Sequence, residues 1–150
     1  QLTWPMVLPA VAIVLLFMLY FLVKMWKIRP SWKDSLPLVI LAYAVVLMLF
    51  MTFNKVFCAQ YVMWVIMLYP MLIYAYKCFD LETKKLPYLL IILCITTLLT
   101  VLFMSESTST ITVTYIIADA LKGISAIALL YHLLKNFRLC IGRTGRDVKI

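Results

Sequence analysis

The chain has 150 residues, 66% of them apolar and only 13% charged, with a mean hydropathy of +1.06. An ordinary soluble domain carries about 25% charged residues, so this balance excludes one and places the chain in lipid. The net charge of +8 is not a nucleic-acid signal, because the basic residues cluster beside apolar runs, where anionic lipid headgroups supply the counter-charge.

A helix needs about 18 or more consecutive apolar residues to cross a bilayer. Five runs reach that length, at about 4–26, 36–53, 57–76, 86–104 and 112–134. The expected fold is therefore an all-α integral membrane protein, a bundle of five transmembrane helices over 1–135 followed by a basic cytoplasmic tail over 136–150. The first run has no basic segment before it and no small-residue cleavage site after it, so it is expected to remain in the mature protein. Gln1 stands where an initiating Met would, which points to a processed chain or a segment of a longer one.

Basic residues fall almost wholly in alternate connectors: Lys24, Lys27, Arg29 and Lys33 after the first run, Lys77, Lys84 and Lys85 after the third, and Lys135, Arg138, Arg143, Arg146 and Lys149 after the fifth. The opposite connectors hold Lys55 and the stretch 105–110, which has no basic residue. The positive-inside rule then sets the N-terminus outside and the C-terminus in the cytoplasm. Pro37 and Pro87 are expected in first helical turns, where a missing N–H costs little. Pro70 lies inside the third run and should kink it, freeing the Ile66 carbonyl. Trp4, Trp26 and Trp32 fit interfacial aromatic belts, whereas Trp64 lies deeper and is placed to pack on Pro70 or a ligand.

The fifth run carries the unusual chemistry. Asp119 and Lys122 lie three residues apart near its middle, and a charge at the bilayer centre costs about 2.5–3.5 kcal/mol on insertion scales, so such a pair is a candidate site by default. At about 100° per residue, Tyr115, Asp119 and Lys122 share one stripe, and Lys122 continues into a second with Ser125 and His132. The small residues Ala118, Ala120, Gly123, Ser125, Ala126 and Ala128 would let other backbones approach, which places this helix at the centre of the bundle or of an oligomer. On the fourth run Thr96 and Thr100 share a face and would line a route beside Asp119; the alternative is that they bond their own backbone.

Soluble-type catalytic motifs are missing: no Gly-rich phosphate loop, no Gly-x-Ser-x-Gly and no His-Glu-x-x-His. An enzyme is thus not the expected reading. Cys58, Cys78, Cys94 and Cys140 have irregular spacing and there is a single His, so neither a metal nor another cofactor is expected.

Two short stretches are similar to known families without conferring membership. Tyr115-Ile116-Ile117-Ala118-Asp119 with Lys122 resembles the last helix of microbial rhodopsins, at a different Asp–Lys spacing and with five runs in place of seven. Arg29-Pro30-Ser31-Trp32 is similar to the Lys-Pro-Ser-Trp loop of the tryptophan-rich sensory proteins, which bind porphyrins and other hydrophobic ligands, but the proline-rich continuation is absent and the fifth run is charged.

Two functions are expected. The first is a small transport or ion- or proton-conducting component with Asp119 and Lys122 as its polar site, Tyr115 and Ser125 solvating it, His132 relaying protons, and Thr96 and Thr100 alongside. The second is a membrane sensor or anchoring module that signals through the fifth helix to a cytoplasmic domain or partner. The expected partners are the bilayer, anionic headgroups at the cytoplasmic face and further copies of the chain, in a cell or inner membrane.

Overall fold

The computed structural model describes residues 8–53, 59–104 and 111–147, which are all-helical apart from two short connectors. The helices are α1 (Leu8–Ile28), α2 (Trp32–Phe53), α3 (Ala59–Cys78), α4 (Lys85–Met104) and α5 (Ile111–Asp147). α1, α2, α4 and α5 are each long and apolar enough to cross a membrane, while the described apolar part of α3, Val62–Cys78, is shorter. Trp4, the connectors 54–58 and 105–110 with Lys55 and Cys58, and the tail beyond Asp147 lie outside the described residues.

Each described connector is fixed by local chemistry. α1 ends where Arg29 enters the left-handed region (φ 47°) and its N–H bonds the Met25 carbonyl at 2.9 Å, a single-bond helix stop, and Pro30 follows. Ser31 then caps α2: its hydroxyl donates to Asp34 Oδ2 at 2.7 Å, and Asp34 puts a carboxylate on the positive end of the helix. This cap starts α2 one turn before the expected Leu36 and leaves Pro37 at the sixth helical position, beyond the expected first turn, where the Lys33 carbonyl loses its partner. α3 ends in a Schellman turn, with Leu81 N–H to the Tyr76 carbonyl at 2.9 Å, Asp80 N–H to the Lys77 carbonyl at 3.1 Å, and Asp80 at φ 49°. In α4, Pro87 is the third residue and sits in the first turn as expected.

α2 is the most deeply buried helix. Leu38, Leu41, Val45 and Met48 are fully buried, because α2 packs against α1, α3 and α5 together. α5 is the second hub, with Leu129, Leu133 and Phe137 buried and its most extensive contact on α4. α1 lies on the outside, held by Phe17 and Phe21, whose rings meet Phe137 at 5.5 and 5.8 Å. Its exposed Leu15, Leu16, Leu19 and Leu22 would be costly in water, but lipid tails are as apolar as leucine and solvate them without penalty.

α5 continues to Asp147, through the segment expected to be a tail. Asn136, Phe137, Cys140, Ile141 and Thr144 are buried, so this stretch is held by packing at the basic end of the bundle. A helix of 37 residues is about 55 Å long, well beyond the roughly 30 Å of hydrocarbon it has to cross.

The small residues of α5 divide between two faces. Ala118, Ser125 and Ala126 are buried, whereas Ala120 is exposed and a Cβ built on Gly123 meets nothing within 4 Å. Gly123 therefore costs helix stability with no packing return inside one copy. Gly123→Ala is expected to stabilise the protein by about 0.5–1 kcal/mol, read as a higher midpoint of unfolding in detergent. A lower midpoint would mean that another surface closes on this face.

Candidate functional site

Three polar contacts set the register of α5 against its neighbours. On α4, Thr96 Oγ1 and Ser125 Oγ lie 3.0 Å apart. On α3, Asn136 Nδ2 donates to the Tyr76 hydroxyl at 2.9 Å. One turn further on, the Arg143 guanidinium donates to the Phe79 carbonyl, a cation on the negative end of α3. α5 thus runs parallel to α3 and antiparallel to α4.

Carried along the axes at about 1.5 Å per residue, these contacts place Lys77, Lys85 and Asn136 at one level. The same registers set Asp119 level with Ala59, the first residue of α3, and with Leu102, near the end of α4 at Met104. Asp119 is then about 25 Å from the lysine level. Within the bundle the pair therefore lies toward the end opposite the lysines, although the sequence puts it near the middle of its apolar run. The run is off-centre because α5 overshoots the bundle.

This position explains an asymmetry. Lys122 Nζ and Asp119 Oδ1 form an ion pair at 2.5 Å, with the Lys122 side chain 9% exposed and that of Asp119 49% exposed. Asp119 was expected to be buried; its neighbours end at this level and leave it uncovered. The buried lysine thus meets an exposed carboxylate one turn away on the same helix.

Ser125 and Thr96 come together between α4 and α5, and Lys122 and Thr100 are buried as they are. Their hydroxyls are largely spent locally: Thr96 on the Ile92 carbonyl at 2.9 Å, Thr100 on the Thr96 carbonyl at 2.8 Å, and Ser125 on the Lys122 carbonyl at 2.8 Å. The Thr96–Ser125 contact crosses between the helices. Thr97, also buried, bonds the Leu93 carbonyl at 2.7 Å. Tyr115 lies one turn beyond Asp119 on the same side and is half-exposed.

His132 belongs to a separate cluster. Its Nε2 is 3.1 Å from Asn136 Nδ2, and its ring lies 6.0 Å from that of the fully buried Tyr76. When Nε2 accepts from the amide, the proton is on Nδ1 and the ring is neutral. Between His132 and Ser125 lie Leu129 and, at the matching level of α4, Leu93, both at 0% exposure. Packed leucine therefore separates Ser125 from His132 along α5.

Tyr76 and Asn136 were missed as site residues because one was read as the end of a run and the other as tail. The available signal was the His132/Asn136 spacing of four, which puts an imidazole and an amide on one helix face. Trp64, expected near Pro70 or a ligand, lines a cleft of about 410 Å³ with Tyr43, Met67, Leu68 and Met71. Trp26 and Trp32 are strongly exposed at the basic end, where interfacial aromatics belong. The chain matches no protein-family model, no curated protein and no solved structure.

The Tyr76–Asn136 bond yields a double-mutant cycle. Asn136→Leu alone leaves a buried phenol without its donor and is expected to cost about 1–3 kcal/mol. Tyr76→Phe alone is expected to cost about 1 kcal/mol. The double variant should lose less than the sum, since removing both partners is close to neutral. Additive losses in chemical denaturation would show that the bond does not couple α3 to α5.

Proposed function

We propose that the chain is a membrane sensor or anchoring module in which α5 links an outer polar site, Asp119 with Lys122, to a cytoplasmic surface formed by its basic end. The alternate placement of basic residues supports this orientation, N-terminus outside and C-terminus inside. The observation that carries the reading is the unbroken length of α5, from Ile111 to Asp147, with a half-exposed carboxylate near one end and exposed Lys135, Arg138 and Arg143 at the other. A continuous helix shifts as a rigid element, and movements of about 1–2 Å are ordinary for such transmission. Its support along the way is asymmetric: tight on α2 and α4 and slight on α1. A change at Asp119 is thus free to tilt α5 against α1 more readily than against the rest.

The second reading, a conducting component, draws support from the buried Thr96, Thr100, Lys122 and Ser125 between α4 and α5. It calls for several copies, because packed Leu129 separates Ser125 from His132 in one.

The two separate experimentally. With spin labels at exposed Lys27 and Leu139 in bilayers, Asp119→Asn and Lys122→Met are each expected to move the mean distance by about 1–2 Å. An unchanged distance distribution in both variants would remove the sensing reading. Proton or cation flux through liposomes that Asp119→Asn abolishes would establish the second in its place.

A further inference from the structure

α3 and α4 are consecutive in the chain yet pack less on each other than α2 on α3 or α4 on α5. Their separation leaves a cleft of about 270 Å³ lined by Ile66, Tyr69, Pro87, Leu90, Ile91 and Cys94. It lies just under the roughly 300–1,000 Å³ range of small-molecule pockets. Pro87 to Cys94 spans seven residues, about 10 Å along α4, so the shape suits one hydrocarbon chain better than a compact ring. Proline accounts for the gap on both walls: Pro87 at the foot of α4, and Pro70, which takes a hydrogen bond from the Ile66 carbonyl on α3.

The charge at its mouth is specific. Lys77 lies eleven residues beyond Ile66, about 20° round α3, and so shares the cleft face. Lys84 is the last connector residue before α4, three residues ahead of Pro87. Both are exposed, and both fall at the level set by the Tyr76–Asn136 bond, one turn below the cleft. The remaining charges of the connector are committed elsewhere or lie outward. Lys85 and Glu82 are close enough to act on His132, on the α5 side, and Asp80 is held in the turn itself at the left-handed position.

From this juxtaposition we propose that the α3–α4 cleft is a binding site for one anionic phospholipid, an acyl chain lying against Pro87, Ile91 and Cys94 and its phosphate held between Lys77 and Lys84. The occupant has to be amphipathic and anionic, since an apolar slot opens directly onto two lysines. The site needs the chain to be in a bilayer and is independent of the sensing role, so either stands if the other fails.

Native mass spectrometry tests it on the full chain released from micelles holding equal amounts of dioleoyl phosphatidylglycerol and dioleoyl phosphatidylcholine. Each lysine near an anionic surface is worth about fivefold, so the wild type should retain the glycerol lipid by roughly thirtyfold over the choline lipid. Lys77→Gln with Lys84→Gln should bring that ratio close to one, and the corresponding arginine pair should restore it. Ile91→Trp, which fills the slot, should reduce retention of both lipids, whereas Ile117→Trp on the exposed face of α5 should not. Equal retention by the wild type, a preference that survives the glutamine pair, or the same loss from Ile91→Trp and Ile117→Trp would each overturn the assignment.

Discussion

The hydrogen bond from Asn136 to Tyr76 is the constraint on which the arrangement of this bundle rests. In lipid, leucine gains little by leaving one apolar neighbour for another, so apolar packing gives a helix pair close fit but weak register. A buried polar contact is different: sliding the helices by one residue strands a donor and an acceptor where water cannot replace the partner. Asn136 and Tyr76 impose that penalty between α3 and α5, Thr96 and Ser125 impose it between α4 and α5, and Arg143 on the Phe79 carbonyl repeats it at the helix end. Together they decide how far α5 overshoots its neighbours, and hence where Asp119 and Lys122 come to lie.

The consequence is a polar site of unusual form. A pair near the bilayer centre would need water or a ligand to justify its cost; one near the interface needs only a long lysine stem and an uncovered carboxylate. The same register that pushes the pair outward brings His132, Asn136 and Tyr76 to the basic end, with packed leucine between. Within one copy these polar groups lie at separate levels of α5, with packed Leu129 between Ser125 and His132.

Much of the fold was legible in the sequence, for a physical reason. Long apolar runs and alternate clusters of lysine report the bilayer itself, a solvent whose demands do not depend on tertiary detail. Pro87 and the helical nature of every described run followed from the same logic. What could not be read was whatever depends on helix pairing. The start of α2 is set by a cap between Ser31 and Asp34 outside the apolar run, the length of α5 by burial of Phe137, Cys140 and Thr144 in a stretch that reads as charged, and the deep burial of α2 by its neighbours. Among the candidate site residues, Ser125 and Thr96 meet, and helical spacing already put Lys122 on the face of Ser125 and Thr100 on that of Thr96. His132 is separated from Ser125 by packed Leu129, and Asp119 is 49% exposed at the level of the described ends of α3 and α4. Neither fact is visible without the register.

Solvent access at position 119 tests that register most directly. In a background with the four native cysteines replaced by serine, cysteine can be placed at Asp119 and, separately, at Ala126, and challenged in sealed vesicles with a membrane-impermeant maleimide. The account predicts that the position-119 thiol is labelled from the side opposite to Lys84 while the position-126 thiol is protected from both sides. Protection of position 119 from both sides, equal to that of position 126, would return the pair to the middle of the membrane and contradict the register.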